Sequence, residues 1–246
     1  VSAAGGLPGE LRVVDDVAVA FAGVVVEAFA QRPAAPGSRF TLVLSGGPTA
    51  RRCYEALAAA SDGAIDWRLV DVLVGDERCV PADDPDANQR LVREALLDRV
   101  GTIGSFRPMD CEAGPTAYQQ VLEDIGPPDL IHLGLGPDGH TASLFPGSLA
   151  LQAPPGVLVT TSTDPTGRNP HRRMTLTFEA IARARLALFT VAGVAKRDAL
   201  ARLAAGEDLP AGRVRARRVL WLVDPDAAGT GRGQHDVGAL DDPPVA

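Results

Sequence analysis

Apolar residues in this chain come in short, nearly unbroken runs separated by longer amphipathic stretches. The runs Phe40–Leu44, Trp67–Val74, Asp129–Leu133, Val157–Thr161, Met174–Phe178, Leu186–Val191 and Arg218–Val223 read as strands. Continuous rather than alternating apolarity marks strands buried on both faces. Between them the spacing predicts helices. Pro48–Ala60 has proline at its first position, and a helix from an Asp86 N-cap through Arg99 puts Leu91, Ala95 and Leu96 on one face. Further helices run from Pro115 to about Ile125, from about Val194 to Ala204, and over about Asp16–Gln31. This alternation predicts an α/β fold, a mostly parallel, Rossmann-like sheet covered by helices on both faces. No internal repeat or long Pro/Gly/Ser linker divides the chain, so 1–246 reads as a single domain with a loose, Gly-rich tail from about residue 227.

Composition narrows the function classes. The 246 residues carry 24 Lys+Arg against 31 Asp+Glu, a net charge of −7. That balance argues against nucleic-acid or anionic-membrane partners, which need a cationic face. A domain of this length buries roughly 70–75 % of its unfolded surface, enough to stand without a staple. The longest apolar runs, Val17–Val26 and Leu186–Ala195, fall short of the roughly 18–20 residues of a membrane span. With no basic n-region and apolar h-region at the start, a cytoplasmic protein is expected. Cys53, Cys79 and Cys111 are odd in number, widely spaced and free of CxxC. The expectation is therefore neither a disulfide framework nor a zinc ribbon, and no metal.

Four unusual segments each follow a predicted strand: Ser45-Gly46-Gly47-Pro48-Thr49, Asp76-Glu77-Arg78, Asp138-Gly139-His140 and Gly193-Val194-Ala195-Lys196. In a parallel sheet they meet beyond the carboxyl ends of the strands, where α/β folds bind ligands. The first is suited to an anion: two glycines and a helix start leave free N–H groups, and Ser45 and Thr49 add hydroxyls. Lys196, the chain's only lysine, falls in the first turn of its helix, where the dipole disfavours a cation unless an anion intervenes. Arg78 is a second cation at a strand end, and Arg172-Arg173 precede the Met174 strand. His140 is the candidate general base, while His132 inside an apolar strand reads as a satisfied core residue. Asp76 and Glu77 could bind substrate hydroxyls or move protons. Gly134-Leu135-Gly136-Pro137-Asp138-Gly139 spells GxGxxG, but Pro137 removes an N–H and Asp138 puts negative charge where a pyrophosphate would sit. No GxSxG elbow is present.

These segments lie in longer strings: TLVLSGGPTA (41–50), GDERCVPADDPDANQRLVREALLD (75–98), HLGLGPDGHTASLFPG (132–147), RMTLTFEAI (173–181) and VAGVAKRDAL (191–200). In that order they resemble the successive motifs of the 6-phosphogluconolactonases, over about residues 40–224. Glucosamine-6-phosphate deaminases share the SGG and DGH elements but typically place an aromatic residue where Arg78 stands. The resemblance implies hydrolysis of 6-phospho-D-glucono-1,5-lactone in the oxidative pentose phosphate pathway. It implies no cofactor, a small sugar phosphate as partner, and a monomer or weak homodimer. By the same resemblance His140 is the catalytic histidine, and Ser45, Gly46, Gly47, Thr49, Arg78, Arg173 and Lys196 hold the phosphate or line its pocket. Asp138 is expected to orient the imidazole, and Asp76 and Glu77 stand as candidate substrate-binding residues from their place at the strand end. Pro48 departs from the family's frequent Ser-Thr-Pro order and removes one N–H donor; the choice of Arg173 over Arg172 rests on the register of the RMTLT strand. The rival readings are a deaminase using Asp76 as proton shuttle and a non-catalytic sugar-phosphate sensor.

Overall fold

The computed structural model describes residues 7–33, 35 and 37–230. Along the chain the strands are β1 (Glu10–Val13), β2 (Phe40–Leu44), β3 (Val70–Val74), β4 (Asp76–Arg78), β5 (Ser105–Arg107), β6 (Leu130–Gly134), β7 (Val159–Ser162), β8 (Arg173–Leu176), β9 (Leu186–Val191) and β10 (Arg218–Val223). Seven of them form one wholly parallel sheet in the order β1-β10-β9-β6-β2-β3-β5. The helices are α1 (Val17–Ala30), α2 (Pro48–Ala60), α3 (Asn88–Val92), α4 (Asp98–Val100), α5 (Gly114–Ile125), α6 (Phe178–Ala182), α7 (Arg197–Ala204) and α8 (Pro225–Ala228). A π-helical turn, Arg93–Leu97, joins α3 to α4.

Two apolar clusters show why the strand sequences are continuous. Val43, Leu73, Ile131, Leu133, Phe189 and Trp221 point into one, with Tyr118 and Leu122 of α5 and Leu200 and Leu203 of α7. Leu42, Leu44, Val72, Leu188, Leu220 and Leu222 point into the other, with Phe21 and Val25 of α1 and Tyr54 and Leu57 of α2. Successive side chains on a strand face opposite ways, so burial on both faces demands an apolar residue at every position. Each large side chain buried this way contributes about 1.5–3 kcal/mol. The expected α/β class and the helices on both faces are what the structure contains.

Some expectations need correction. The strands near Val157–Thr161 and Met174–Phe178 leave the main sheet: β7 and β8 pair antiparallel with each other, and β8 with β4. The stretch Trp67–Leu69 is a 3₁₀ turn whose Asp66 side chain accepts from the Arg68 N–H, and the strand begins only at Val70. Asp86 is not the N-cap of α3; Ala87 holds that position without a side-chain cap. At the start of the expected tail Ala227 is buried and Asp224 caps α8 by accepting its N–H; residues 231–246, with His235, lie outside the described residues.

The cysteine expectation is also overturned: Cys79 and Cys111 are joined by a disulfide. Spacing along the chain hides the pair, but topology creates it. β5 lies beside β3, so the segment after β5 reaches Cys79, which follows the short β4. Closing a loop with a sequence separation of 32 contributes about 3–4 kcal/mol by restricting the unfolded chain. Cys79→Ser/Cys111→Ser should therefore unfold at lower urea, by about 3 kcal/mol; equal stability of reduced and oxidised protein would remove the bridge from the account.

Candidate functional site

Four adjacent strands of the sheet, β9-β6-β2-β3, end at one edge, and the four chemistry-bearing segments follow them directly. They line a cleft of about 310 Å³ whose walls include Ser45, Gly46, Gly47, Thr49, Asp76, Arg78, His140, Arg173 and Lys196. The two other expected residues, Asp138 and Glu77, stand behind the wall.

The glycine loop follows from close packing. A Cβ on Gly46 would fall 1.8 Å from Asn88 Oδ1, and Gly47 has φ +103°, so neither position takes a side chain without strain. Helix α2 then begins at Pro48, and the first-turn N–H groups of Thr49 and Ala50 have no carbonyl within their own helix. That leaves an N-terminus that favours an anion. Ser45 lines the cleft, and its hydroxyl donates to the His132 carbonyl at 2.8 Å, tying β2 to β6. His132 is a buried core residue. Its Nδ1 lies 2.9 Å from Tyr54 Oη and its Nε2 2.8 Å from Thr190 Oγ1, and burial pushes its pKa down to about 3.

The loop after β6 aims the candidate base. The Gly136 N–H donates to the His140 carbonyl at 2.8 Å, and the Gly139 N–H to the Gly136 carbonyl at 3.0 Å. One Asp138 carboxylate oxygen accepts the His140 backbone N–H at 3.1 Å and faces its Nδ1 at 2.5 Å. A carboxylate there keeps the ring proton on Nδ1 and leaves Nε2 as the free acceptor. Burial raises the Asp138 carboxyl, but the His140 contacts outweigh it and hold it below its ordinary value. Glycine at 136 is required, since a Cβ would lie 2.1 Å from His140 Nδ1. The Phe145 ring backs the imidazole at 4.7 Å.

Cations face this unit. Lys196 is half-buried and makes no salt bridge among the described residues; burial lowers its pKa and the charge of Asp138 partly offsets that. Arg173 is buried while Arg172 is exposed, so Arg173 is the one presented to the cleft. Its Nη1 lies 3.4 Å from Ser143 Oγ and 3.9 Å from Asp76, and its Nε has no partner. Arg78 Nη1 donates to the Asp86 carbonyl at 2.6 Å and its Nε is likewise unpartnered. Desolvated guanidinium N–H groups without acceptors are costly unless an anion supplies them.

The neighbouring carboxylates Asp76 and Glu77 part company. Asp76 Oδ2 accepts from Ser143 Oγ at 2.6 Å on the cleft side. Glu77, only 1 % exposed, accepts the backbone N–H groups of Arg78, Asn88 and Gln89 at 2.7–2.8 Å. Burial nonetheless pushes its pKa up to about 7. Sequence reasoning left Asn88 and Asn169 out of the site, and both line the cleft. Asn169 is held by Asp164, which accepts its backbone and side-chain N–H groups at 3.0 and 2.8 Å; the Asp-Pro-Thr-Gly turn ahead of it was the available signal. Among the described residues no group of three or more His, Cys, Asp or Glu side chains could hold a metal ion, and no helix is long and apolar enough to cross a membrane.

Fold and cleft together define an α/β protein that opposes an anion-binding loop and arginine/lysine cations to a histidine–aspartate pair. The family model described as glucosamine-6-phosphate isomerases/6-phosphogluconolactonase matches residues 12–221. A 6-phosphogluconolactonase of Mycobacterium tuberculosis is 37 % identical over 235 residues, 87 % of this chain and 94 % of that protein. One from Synechocystis is 37 % identical over 206 residues, 76 % and 82 % of the two chains. The crystal structure of a 6-phosphogluconolactonase from Thermotoga maritima superposes with a TM-score of 0.74 at 28 % identity, over 87 % of this chain and 99 % of that one. A monomeric glucosamine-6-phosphate deaminase shares the fold at 20 % identity with a TM-score of 0.74. The chain belongs to the glucosamine-6-phosphate isomerase/6-phosphogluconolactonase family and is an enzyme.

The Glu77 carboxyl makes a testable link between pH and stability. Its folded pKa of about 7 lies above the ordinary 4.5, so its contribution to stability is complete below about pH 4.5 and is lost as pH rises through about 7. Between those limits the wild type should lose about 3 kcal/mol relative to Glu77→Gln. Urea unfolding at a series of pH values reads the difference, and parallel pH curves for the two proteins would contradict it.

Proposed function

We propose that this enzyme hydrolyses 6-phospho-D-glucono-1,5-lactone to 6-phospho-D-gluconate, the second step of the oxidative pentose phosphate pathway. The observation that carries this reading is the placement of His140, oriented by Asp138, on the same cleft as Lys196, Arg78, Arg173 and the Gly46-Gly47 loop. The cations and helix N-terminus take the phosphate, and binding energy there fixes the carbonyl against the base. Neutral His140 accepts a proton at Nε2 from water, and the water oxygen bonds to the lactone carbonyl carbon. Collapse of the tetrahedral intermediate breaks the bond to the ring oxygen, which takes the proton back from His140. Asp138 steadies the imidazolium between the two transfers, and loop N–H groups stabilise the oxyanion. Glu77, turned away from the cleft, takes no direct part in binding, contrary to the sequence expectation.

The deaminase reading needs Asp76 free to shuttle a proton at C2. Here its carboxylate already accepts from Ser143 Oγ and lies beside Arg173, which supports a holding role instead.

His140→Ala should lower lactonase kcat by roughly 10²–10⁴ while 6-phosphogluconate still binds; turnover above a matched spontaneous-hydrolysis blank is the measure, and near-wild-type rates would remove His140 from the chemistry. Lys196→Ala should act on the other end of the substrate. It should raise KM by about tenfold or more, as expected for losing a charge-assisted contact, with kcat falling much less. An unchanged KM would take the lysine out of the phosphate site.

A further inference from the structure

Glu77 is a buried acid that the proposed chemistry does not use, and its surroundings are specific. Oε1 accepts from Arg78 N at 2.8 Å and Asn88 N at 2.7 Å, and Oε2 from Gln89 N at 2.8 Å. The start of α3 is therefore capped by a carboxylate from another element, where the residue in the N-cap position, Ala87, offers none. Asn88 passes the constraint on. Its Nδ2 donates to the Asp76 carbonyl at 2.7 Å, and its Oδ1 fills the space beside Gly46 that a side chain there would need.

We propose that Glu77 is a positioning residue, which locks the start of α3 and, through the Asn88 side chain, joins the Asp76–Arg78 strand and the Gly46 loop into one preformed anion-binding wall. A serine at position 87 would cap the helix without bringing in a charge. The buried carboxylate instead reaches three segments at once: Arg78 on its own strand, the helix start, and by way of Asn88 the glycine loop. The ionisable groups around it are Asp76 and Arg78 on the same strand, Arg173 on β8 and Tyr118 on α5. None of its hydrogen bonds reaches the loop that carries Asp138 and His140. Loss of Glu77 should thus loosen binding and spare the proton-transfer unit. This inference rests on the cleft being the sugar-phosphate site of the preceding section.

The test compares wild type, Glu77→Gln, Asn88→Ala and the double variant at about pH 8, where the Glu77 carboxyl is ionised. The readouts are kcat and KM for the lactone, Kd for 6-phosphogluconate and for inorganic phosphate, and urea stability. Glu77→Gln should raise KM and both Kd values about tenfold, change kcat by less than about threefold, and leave the protein no less stable than wild type. A purely structural residue would show the opposite split, lower stability with unchanged KM. Asn88→Ala should also weaken binding, and the double variant should be no worse than the weaker single, since both cut one chain of contacts. Additive effects, or unchanged Kd values, overturn the proposal. Should Glu77→Gln not fold, Asn88→Ala decides alone, and an unchanged Kd there has the same force. A wild type that binds the phosphate ligands without opening the lactone would sink the functional reading, and the Kd comparison would still judge Glu77.

Discussion

Beneath the cleft floor a short chain of buried hydrogen bonds ties three strand ends together. Ser45 Oγ grips the His132 carbonyl, and Tyr54 Oη lies between Ser45 and His132 Nδ1. The far side of the imidazole meets Thr190 Oγ1. Three strands, β2, β6 and β9, and helix α2 are tied by one histidine in an otherwise apolar layer. Desolvation keeps that histidine neutral, so it contributes a donor and an acceptor without an uncompensated charge. The glycine loop, the His140 loop and the Lys196 turn start from these strand ends, and their mutual placement is inherited from them.

Above that floor the cleft holds charge in an unbalanced way. Lys196 is half-buried without an ion pair among the described residues, and Arg78 and Arg173 each keep a desolvated Nε–H unpartnered. Nearby carboxylates are already engaged, Asp76 by Ser143 and Asp138 by His140. A small anion with several acceptor oxygens is the complement such a surface lacks. The Nε2 of His140 stands across the cleft as an acceptor, so the cleft has a cationic side and a basic side. That polarity suits a molecule anionic at one end and electrophilic at the other.

Much of this was legible because the parallel strands are buried on both faces. β2, β9, β10 and α2 have the bounds their apolar runs and Pro48 indicate. The convergence of the four segments followed from parallel topology alone. What escaped depends on contacts between distant segments. The Cys79–Cys111 bridge needs β5 to lie beside β3. Asn169 enters the site only because the Asp164 turn folds it back toward Arg173. The cap of α3 comes from a residue eleven positions earlier in sequence, which no local capping rule anticipates.

The carboxylate pair shows most plainly how local geometry assigns roles. Read as a sequence, Asp76-Glu77 is two acids at a strand end, equally available to substrate. As β4, paired antiparallel with β8, it must place consecutive side chains on opposite faces. Asp76 turns with Arg78 toward the cleft, and Glu77 turns away toward the backbone of α3. A turn or helix at this point could present both acids to the same ligand; a strand cannot. The antiparallel pairing with β8, which the parallel reading of the chain did not foresee, is what separates an acid on the cleft wall from one that braces the wall from behind.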